Sequence, residues 1–311
     1  MKNYLKFLVA TLLVAFICFQ TIVFGIIKFP GGTFHTSFQS VMQDKYRLLK
    51  ETDEPKIIVV AGSSGAFGLD QRRLEEATGY RVVNMGLHAG FGPLFFSELS
   101  KENINKGDIV LLGYEYGWTY SFDYMDQSLV MSAIDDDIEM YSHIPVGMWP
   151  SIIGYMFKYA AKKNQFQPAD GIYSRESFDP RDGQMIALRD EPMEYDRDTY
   201  GTVDVTDEEI SPETYNYLMD FKEYVEDRGA SIYFIAPPVL EDAVDCDYQE
   251  FEKLKDLEEK ELGIPYISDP LDYIFPADLM SDSVYHCNSR GEQVRTELLI
   301  EDLRRAGVGV A

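Results

Sequence analysis

The stretch KIIVVAGSSGAFGLD, Lys56 to Asp70, constrains this chain more than any other. Ile57 to Val60 is an unbroken apolar, β-branched run, as in a strand buried on both faces. A glycine-rich segment leads out of it. A buried parallel strand delivers a small polar residue in this way to the carboxyl edge of a sheet, where open α/β folds place their sites. Gly62-Ser63-Ser64 alone is equally an ordinary loop, so its meaning depends on the rest of the chain.

Beyond Asp70 the sequence keeps a strand–helix rhythm. LDQRRLEEATG reads as a short helix closed by Gly79, and RVVNMG as a second strand ending at Asn84 and Gly86. PLFFSELSKENINKG reads as a helix stopped by Gly107, and DIVLLGYEYG as a third strand. Three strands and two helices in one short span predict a parallel sheet with right-handed crossovers. Residues 118 to about 205 break the rhythm and read as an insertion that caps or flanks the sheet domain. Order resumes at TDEEISPETYNYLMDFKEYVEDRG, where Thr206 with Glu209 offers a capping box and Ser211-Pro212 a second start signal. ASIYFIAPP predicts a fourth strand, YQEFEKLKDLEEKELG a helix and IPYISDP a short fifth strand. NSRGEQVRTELLIEDLRRAG closes the chain as an amphipathic helix. The expected fold class is α/β with a five-stranded parallel sheet.

With 311 residues, 45% of them hydrophobic, the chain has the material for one large core. Its net charge of −25 argues against a nucleic-acid partner, since a polyanion rewards the opposite sign. Residues 1–28 differ from the rest: they hold Lys2, Lys6 and Lys28 and no acid, leaving 25 Lys and Arg against 53 Asp and Glu, a net of −28. Phe7 to Ile27 carries no charge over 21 positions, the length of a membrane-spanning helix. No small-residue cleavage pattern follows, so residues 1–28 read as an uncleaved signal anchor. Lys2 and Lys6 place the short N-terminus in the cytoplasm and the body outside the membrane. Residues 29–55 read as a juxtamembrane stalk: FPGGT is a breaker, and Phe38, Val41, Tyr46 and Leu49 have helical spacing. The sheet domain is then 56–311.

Cys246 and Cys287 are the two cysteines outside the apolar segment, which holds Cys18; they form a disulfide or both remain free. No Cys/His cluster points to a metal. Asp135-Asp136-Asp137 reads as solvated loop rather than a calcium site. Tyr114, Tyr116, Trp118, Tyr120, Phe122 and Tyr124 alternate with period two, which predicts one face of an extended segment, either buried or stacking on a ligand. Of the four histidines, His35 lies in the stalk, His143 in the insertion, and His88 beside the second strand as a substrate contact or a structural hydrogen-bonding group. His286 stands out because Asp282 precedes it in DLMSDSVYHCNSRG. Serine nucleophiles need a base, and the base an orienting carboxylate. A loop before the last helix, at the sheet's carboxyl edge, would bring Asp282 and His286 under Ser64. The competing reading of His286 is a helix-start histidine bonded to backbone.

Gly62-Ser63-Ser64, then Asn84-Met85-Gly86-Leu87-His88-Ala89-Gly90, then Asp282 and His286 followed by Asn288-Ser289-Arg290-Gly291, occur in an order that resembles the SGNH (GDSL-like) hydrolase superfamily. The chain looks most like its membrane-anchored bacterial branch, which includes the D-alanyl-lipoteichoic-acid biosynthesis protein and the acetyltransferases of exopolysaccharides. The resemblance covers roughly residues 55–117 and 206–305. It implies a flavodoxin-like three-layer domain on a single-pass anchor in a bacterial cell membrane, with the C-terminal domain extracytoplasmic. It implies Ser64 as nucleophile, His286 as base and Asp282 as its orienter, with no cofactor. Backbone N–H groups of Ser64 and of Gly90, with Gly86 and Asn84 in the same block, would line the oxyanion hole. The implied activity is an acyl-esterase or O-acyl(acetyl)transferase on a cell-surface glycan or teichoic-acid-like polymer, with a membrane-bound O-acyltransferase as partner.

The sequence departs from that pattern in three places. Ser63 stands where the superfamily has Asp, and Asp282 and His286 are one residue further apart than its usual D-x-x-H. Where a G-x-N-D block should follow the third strand, the chain has Gly113-Tyr114-Glu115-Tyr116. Asn donates to an oxyanion; an ionised Glu cannot, and repels it. Two other function classes therefore stand beside the acyltransferase: a non-catalytic glycan-binding or scaffold module of an export complex, and a lipid esterase that uses the aromatic stripe.

Overall fold

A computed structural model describes residues 2–28, 33–119, 122–163 and 171–308. It opens with α1 (Lys2–Lys28), the one described helix long and apolar enough to cross a bilayer by length and composition. Then come α2 (Val41–Glu51), β1 (Lys56–Ala61), α3 (Ser63–Gly68), α4 (Gln71–Thr78), β2 (Arg81–Asn84), α5 (Pro93–Ser100) and β3 (Ile109–Gly113). The insertion supplies α6 (Gln127–Ile134), α7 (Ile138–Tyr141), α8 (Trp149–Lys163) and α9 (Arg197–Tyr200). The chain returns through α10 (Pro212–Asp227), β4 (Ser231–Phe234), β5 (Val239–Leu240), α11 (Gln249–Leu262), β6 (Ile274–Phe275) and α12 (Ser289–Arg305).

The main sheet is parallel, in the order β2-β1-β3-β4. Ala61 pairs with Gly113, so β1 and β3 end together where Gly62 begins, while β2 ends two residues earlier with Asn84 opposite Val59. Every β1 residue is buried, and its two sets of alternating side chains serve two cores. Ile58 and Val60 pack with α2, α5 and α10 through Tyr46, Phe95 and Phe221. Ile57, Val59 and Ala61 pack with α4 and α12 through Leu74, Leu299 and Leu303. The result is a helix–sheet–helix sandwich. At the amino edge the buried Lys56 ammonium donates to Asp108 Oδ2 at 2.8 Å, while Asp108 Oδ1 takes the Lys56 backbone N–H at 3.0 Å.

Four strands form the sheet, not five. The segment around Tyr266 adds a single bridge to Phe234, whose N–H donates to Pro265 O, while Ile267 N–H donates to Phe234 O. Prolines explain the truncation: Pro237 and Pro238 end β4's donor series, and Pro265 brings no N–H of its own. β5 and β6 instead pair as a separate two-stranded parallel piece.

Residues 33–55 are not a stalk. In α2, Val41, Met42, Tyr46 and Leu49 are all buried in the main core, and Lys45 donates from beneath β2 to Asn84 O at 2.8 Å. The capping box at Thr206 does not form. Thr206 N–H instead meets Asp204, and Ser211 caps α10 by accepting the Thr214 N–H, so the second start signal is the operative one. The aromatic alternation is not an extended face either. β3 stops at Gly113, and a positive φ of 88° at Gly117 turns the chain. Tyr114, Trp118 and Phe122 enter the main core, Tyr116 packs on Phe251 in a different one, and Tyr124 is exposed. Tyr120 lies outside the described residues. Asp135 is buried rather than solvated: it accepts Lys163 Nζ at 2.6 and 2.8 Å and the Tyr159 hydroxyl at 2.9 Å. Asp137 caps α7. All three cysteines are unpaired.

Candidate active site

Ser64 sits in the first turn of α3, at the carboxyl edge of the sheet. The chain can pass so close to its neighbours because Gly62 and Gly86 lack Cβ atoms. One on Gly86 would lie 2.7 Å from Gly62 O, and one on Gly62 would run into the Glu115 carboxylate. Ser64 is fully buried, and its Oγ has no hydrogen-bond partner among the described residues. Its carbonyl accepts Arg295 Nη1 at 2.5 Å. Arg295 itself is buried on α12 and makes no ion pair among the described residues; burial lowers its pKa.

Asp282 and His286 are joined by a tight loop, in which Ser281 N–H donates to His286 O at 2.8 Å and His286 N–H to Ser283 O at 3.1 Å. That turn brings the side chains into contact, with His286 Nδ1 2.9 Å from Asp282 Oδ1. Facing a carboxylate, Nδ1 carries the proton of the neutral ring, so the Nε2 lone pair is open. Nε2 is buried and, like Ser64 Oγ, has no partner among the described residues, so the structure joins His286 to Asp282 but not to Ser64 by a hydrogen bond. Phe67, one turn beyond Ser64 on α3, stacks flat on the His286 ring, with centroids 4.2 Å apart and 8° between planes. Burial alone would raise the Asp282 carboxyl, but hydrogen bonds from His286 and Tyr173 outweigh it and hold the group below its ordinary pKa.

Tyr173 comes from the insertion. Its hydroxyl donates to Asp282 Oδ2 at 2.6 Å, and its ring packs on Phe67 and on Phe38. The adjoining Ser174 bridges to Ser37, and Arg175 binds Asp44 and the His35 carbonyl. The insertion and the segment after α1 thus form one wall beside the His–Asp pair.

The expected oxyanion donors are all engaged. Ser64 N–H donates to Glu115 Oε1 at 2.7 Å, Gly86 N–H to Asn84 Oδ1 at 2.9 Å, and Gly90 N–H to His88 Nδ1 at 3.0 Å. Asn84 Nδ2 is spent on Gly65 O at 2.8 Å. His88 therefore plays a structural hydrogen-bonding part here. Burial, then the nearby His286, lowers its pKa. Glu115 accepts the Ser64 N–H, the donor expected to face an oxyanion.

Sequence reasoning missed Tyr173, Arg295 and Phe67. For Arg295 a signal existed: it falls four residues from both Gly291 and Leu299, on the buried face of α12. Tyr173 lies in a segment without periodicity and had none. No protein-family model matches this chain, and no curated protein sequence does so either.

Proposed function

We propose that this chain is a membrane-tethered, extracytoplasmic serine acyl-esterase or O-acyl(acetyl)transferase of SGNH-like type, acting on a cell-surface polysaccharide or teichoic-acid-like polymer. One observation carries the reading: Ser64 Oγ and His286 Nε2 are both buried and unpartnered among the described residues, while Asp282 holds the opposite imidazole nitrogen at 2.9 Å. Buried polar atoms without partners are costly and rare, and a catalytic role is one reason for them; to work as nucleophile and base, Ser64 Oγ and His286 Nε2 would have to close to the hydrogen bond they do not make here. Ser64 Oγ would attack the acyl carbonyl as its proton passes to His286 Nε2, with Asp282 stabilising the imidazolium. The proton would then go to the leaving group, and water or a glycan hydroxyl would take the acyl group from Ser64. The oxyanion would need the Ser64 N–H, so Glu115 would have to leave it during turnover. An integral O-acyltransferase supplying the acyl group is part of the same proposal.

A fluorophosphonate tests it on the full chain in detergent. Labelling of the native protein that Ser64→Ala and His286→Ala abolish is expected; no adduct, or one that survives Ser64→Ala, removes Ser64 as nucleophile.

The Glu115–Ser64 contact favours a second reading, a non-catalytic glycan-binding or scaffold module. Glycan binding unaffected by Ser64→Ala and His286→Ala, with no acyl turnover, would favour it. Turnover of long-chain in preference to short aryl esters would point to a lipid esterase.

A further inference from the structure

We infer that α8 is a second membrane element, seated in the leaflet on the domain's side of the bilayer and in contact with its acyl chains; this rests on the reading of α1 as the membrane anchor. Length sets the first constraint. Phe7 to Ile27 is 21 residues, about 31 Å of helix against a hydrocarbon core of about 30 Å. There is no slack, so Ile27 lies at one boundary of the core and Phe19 about 12 Å below it along the axis.

The domain touches α1 below that boundary. Val23 and Ile27 are buried by protein. Phe24 packs on Tyr141, which stacks on Trp149 at the start of α8. Deeper still, Phe157 of α8 meets Phe19, with ring centroids 5.8 Å apart. A side chain in contact with Phe19 shares its depth. Lys163, at the end of α8, fixes this arrangement by donating to Ile27 O at 2.5 Å while paired with Asp135.

The outer face of α8 suits lipid. Phe157 is 59% exposed, and Val146, on the turn before the helix, is 86% exposed. In a strongly acidic domain, the segment between Glu139 and Asp170 holds no acid and three lysines. Lys158 and Lys162 flank the apolar stripe with Nζ over the Tyr155 ring, the long-stemmed cations that an interfacial helix carries beside its apolar face. Continuity with the α1 surface makes the bilayer, rather than a second copy or a separate protein, the occupant of this face.

The test uses the full chain in nanodiscs whose lipids carry bromine on the acyl chains, with tryptophan fluorescence as readout. F157W adds a reporter on α8, F16W one on the anchor, and L188W one on an exposed loop of the insertion; each is compared with the native chain. The added emission of F157W and of F16W is expected to be lost to a comparable extent, and that of L188W retained. Quenching of F16W without F157W overturns the inference and leaves the anchor standing, whether water or another protein covers α8. Quenching of neither overturns both.

Discussion

The Glu115 carboxylate holds the backbone N–H of Ser64 at 2.7 Å, on the one group that a serine nucleophile most needs free. A carboxylate there both consumes the donor and sets negative charge where an oxyanion would form. Removing it should open the site. One oxyanion donor is worth on the order of 100-fold in rate. Glu115→Ala is therefore expected to accelerate fluorophosphonate labelling of Ser64 by about tenfold or more. Glu115→Gln, which removes the charge but keeps an acceptor, should give a smaller gain. Equal or slower labelling of both variants would show that Glu115 is no obstacle.

Tyr173 should set the acid limb of any activity. Its hydrogen bond helps keep Asp282 ionised, so Tyr173→Phe should raise the Asp282 pKa and move that limb to higher pH. The sign follows from the depressed carboxyl: the charged pair exists above its pKa and is lost as pH falls through it. Asp282 is partly exposed, so the bond is worth about 1 kcal/mol, which moves the limb by roughly 0.7 pH unit and leaves the rate at neutral pH little changed. A pH–rate profile of labelling reads the shift.

Lys45 should make stability rise with pH. Burial lowers its pKa to about 7, only partly offset by Asp182 and Asp44. Above that value the unfolded chain binds the proton that the folded chain has released, so folding gains as pH increases. The contribution is on the order of 2 kcal/mol between pH 7 and 8.5; above about 8.5 the buried Cys287 thiol, pushed up to about 12, increasingly acts in the opposite sense. Denaturant melts at both pH values should show this slope in the native chain and its loss in Lys45→Met.

The Lys56–Asp108 pair should matter far more than its distance from the site suggests. Both side chains are fully buried, and Asp108 also takes the N–H groups of Lys56 and Asn105. Asp108→Ala strands an ammonium at the amino edge of β1. A loss of about 3–5 kcal/mol is expected, read as a lower melting temperature.

The apolar run before Gly62 and the glycine stop at Gly79 made the start of the sheet and α4 readable, because burial and backbone conformation act locally. The same logic overcounted strands at Tyr266, where flanking prolines limit pairing. It also misjudged α2: the helical spacing was visible, but its partner lies more than 100 residues away in part, at Pro180 and Gly183. Ser64, Asp282 and His286 were legible as residue types in order. Their surroundings were not. That Glu115 folds back onto Ser64, and that Tyr173 reaches Asp282 from the insertion, depends on long-range packing that no spacing encodes.

Residues 33–40 are folded into the wall that carries Phe38 and Tyr173, and α8 is clamped to α1 at Ile27. With α1 as the proposed anchor, the described residues leave no leash. Its serine would work at one fixed height above the bilayer, and polymer would be chosen by how near it runs to the membrane before its chemistry is tested at all.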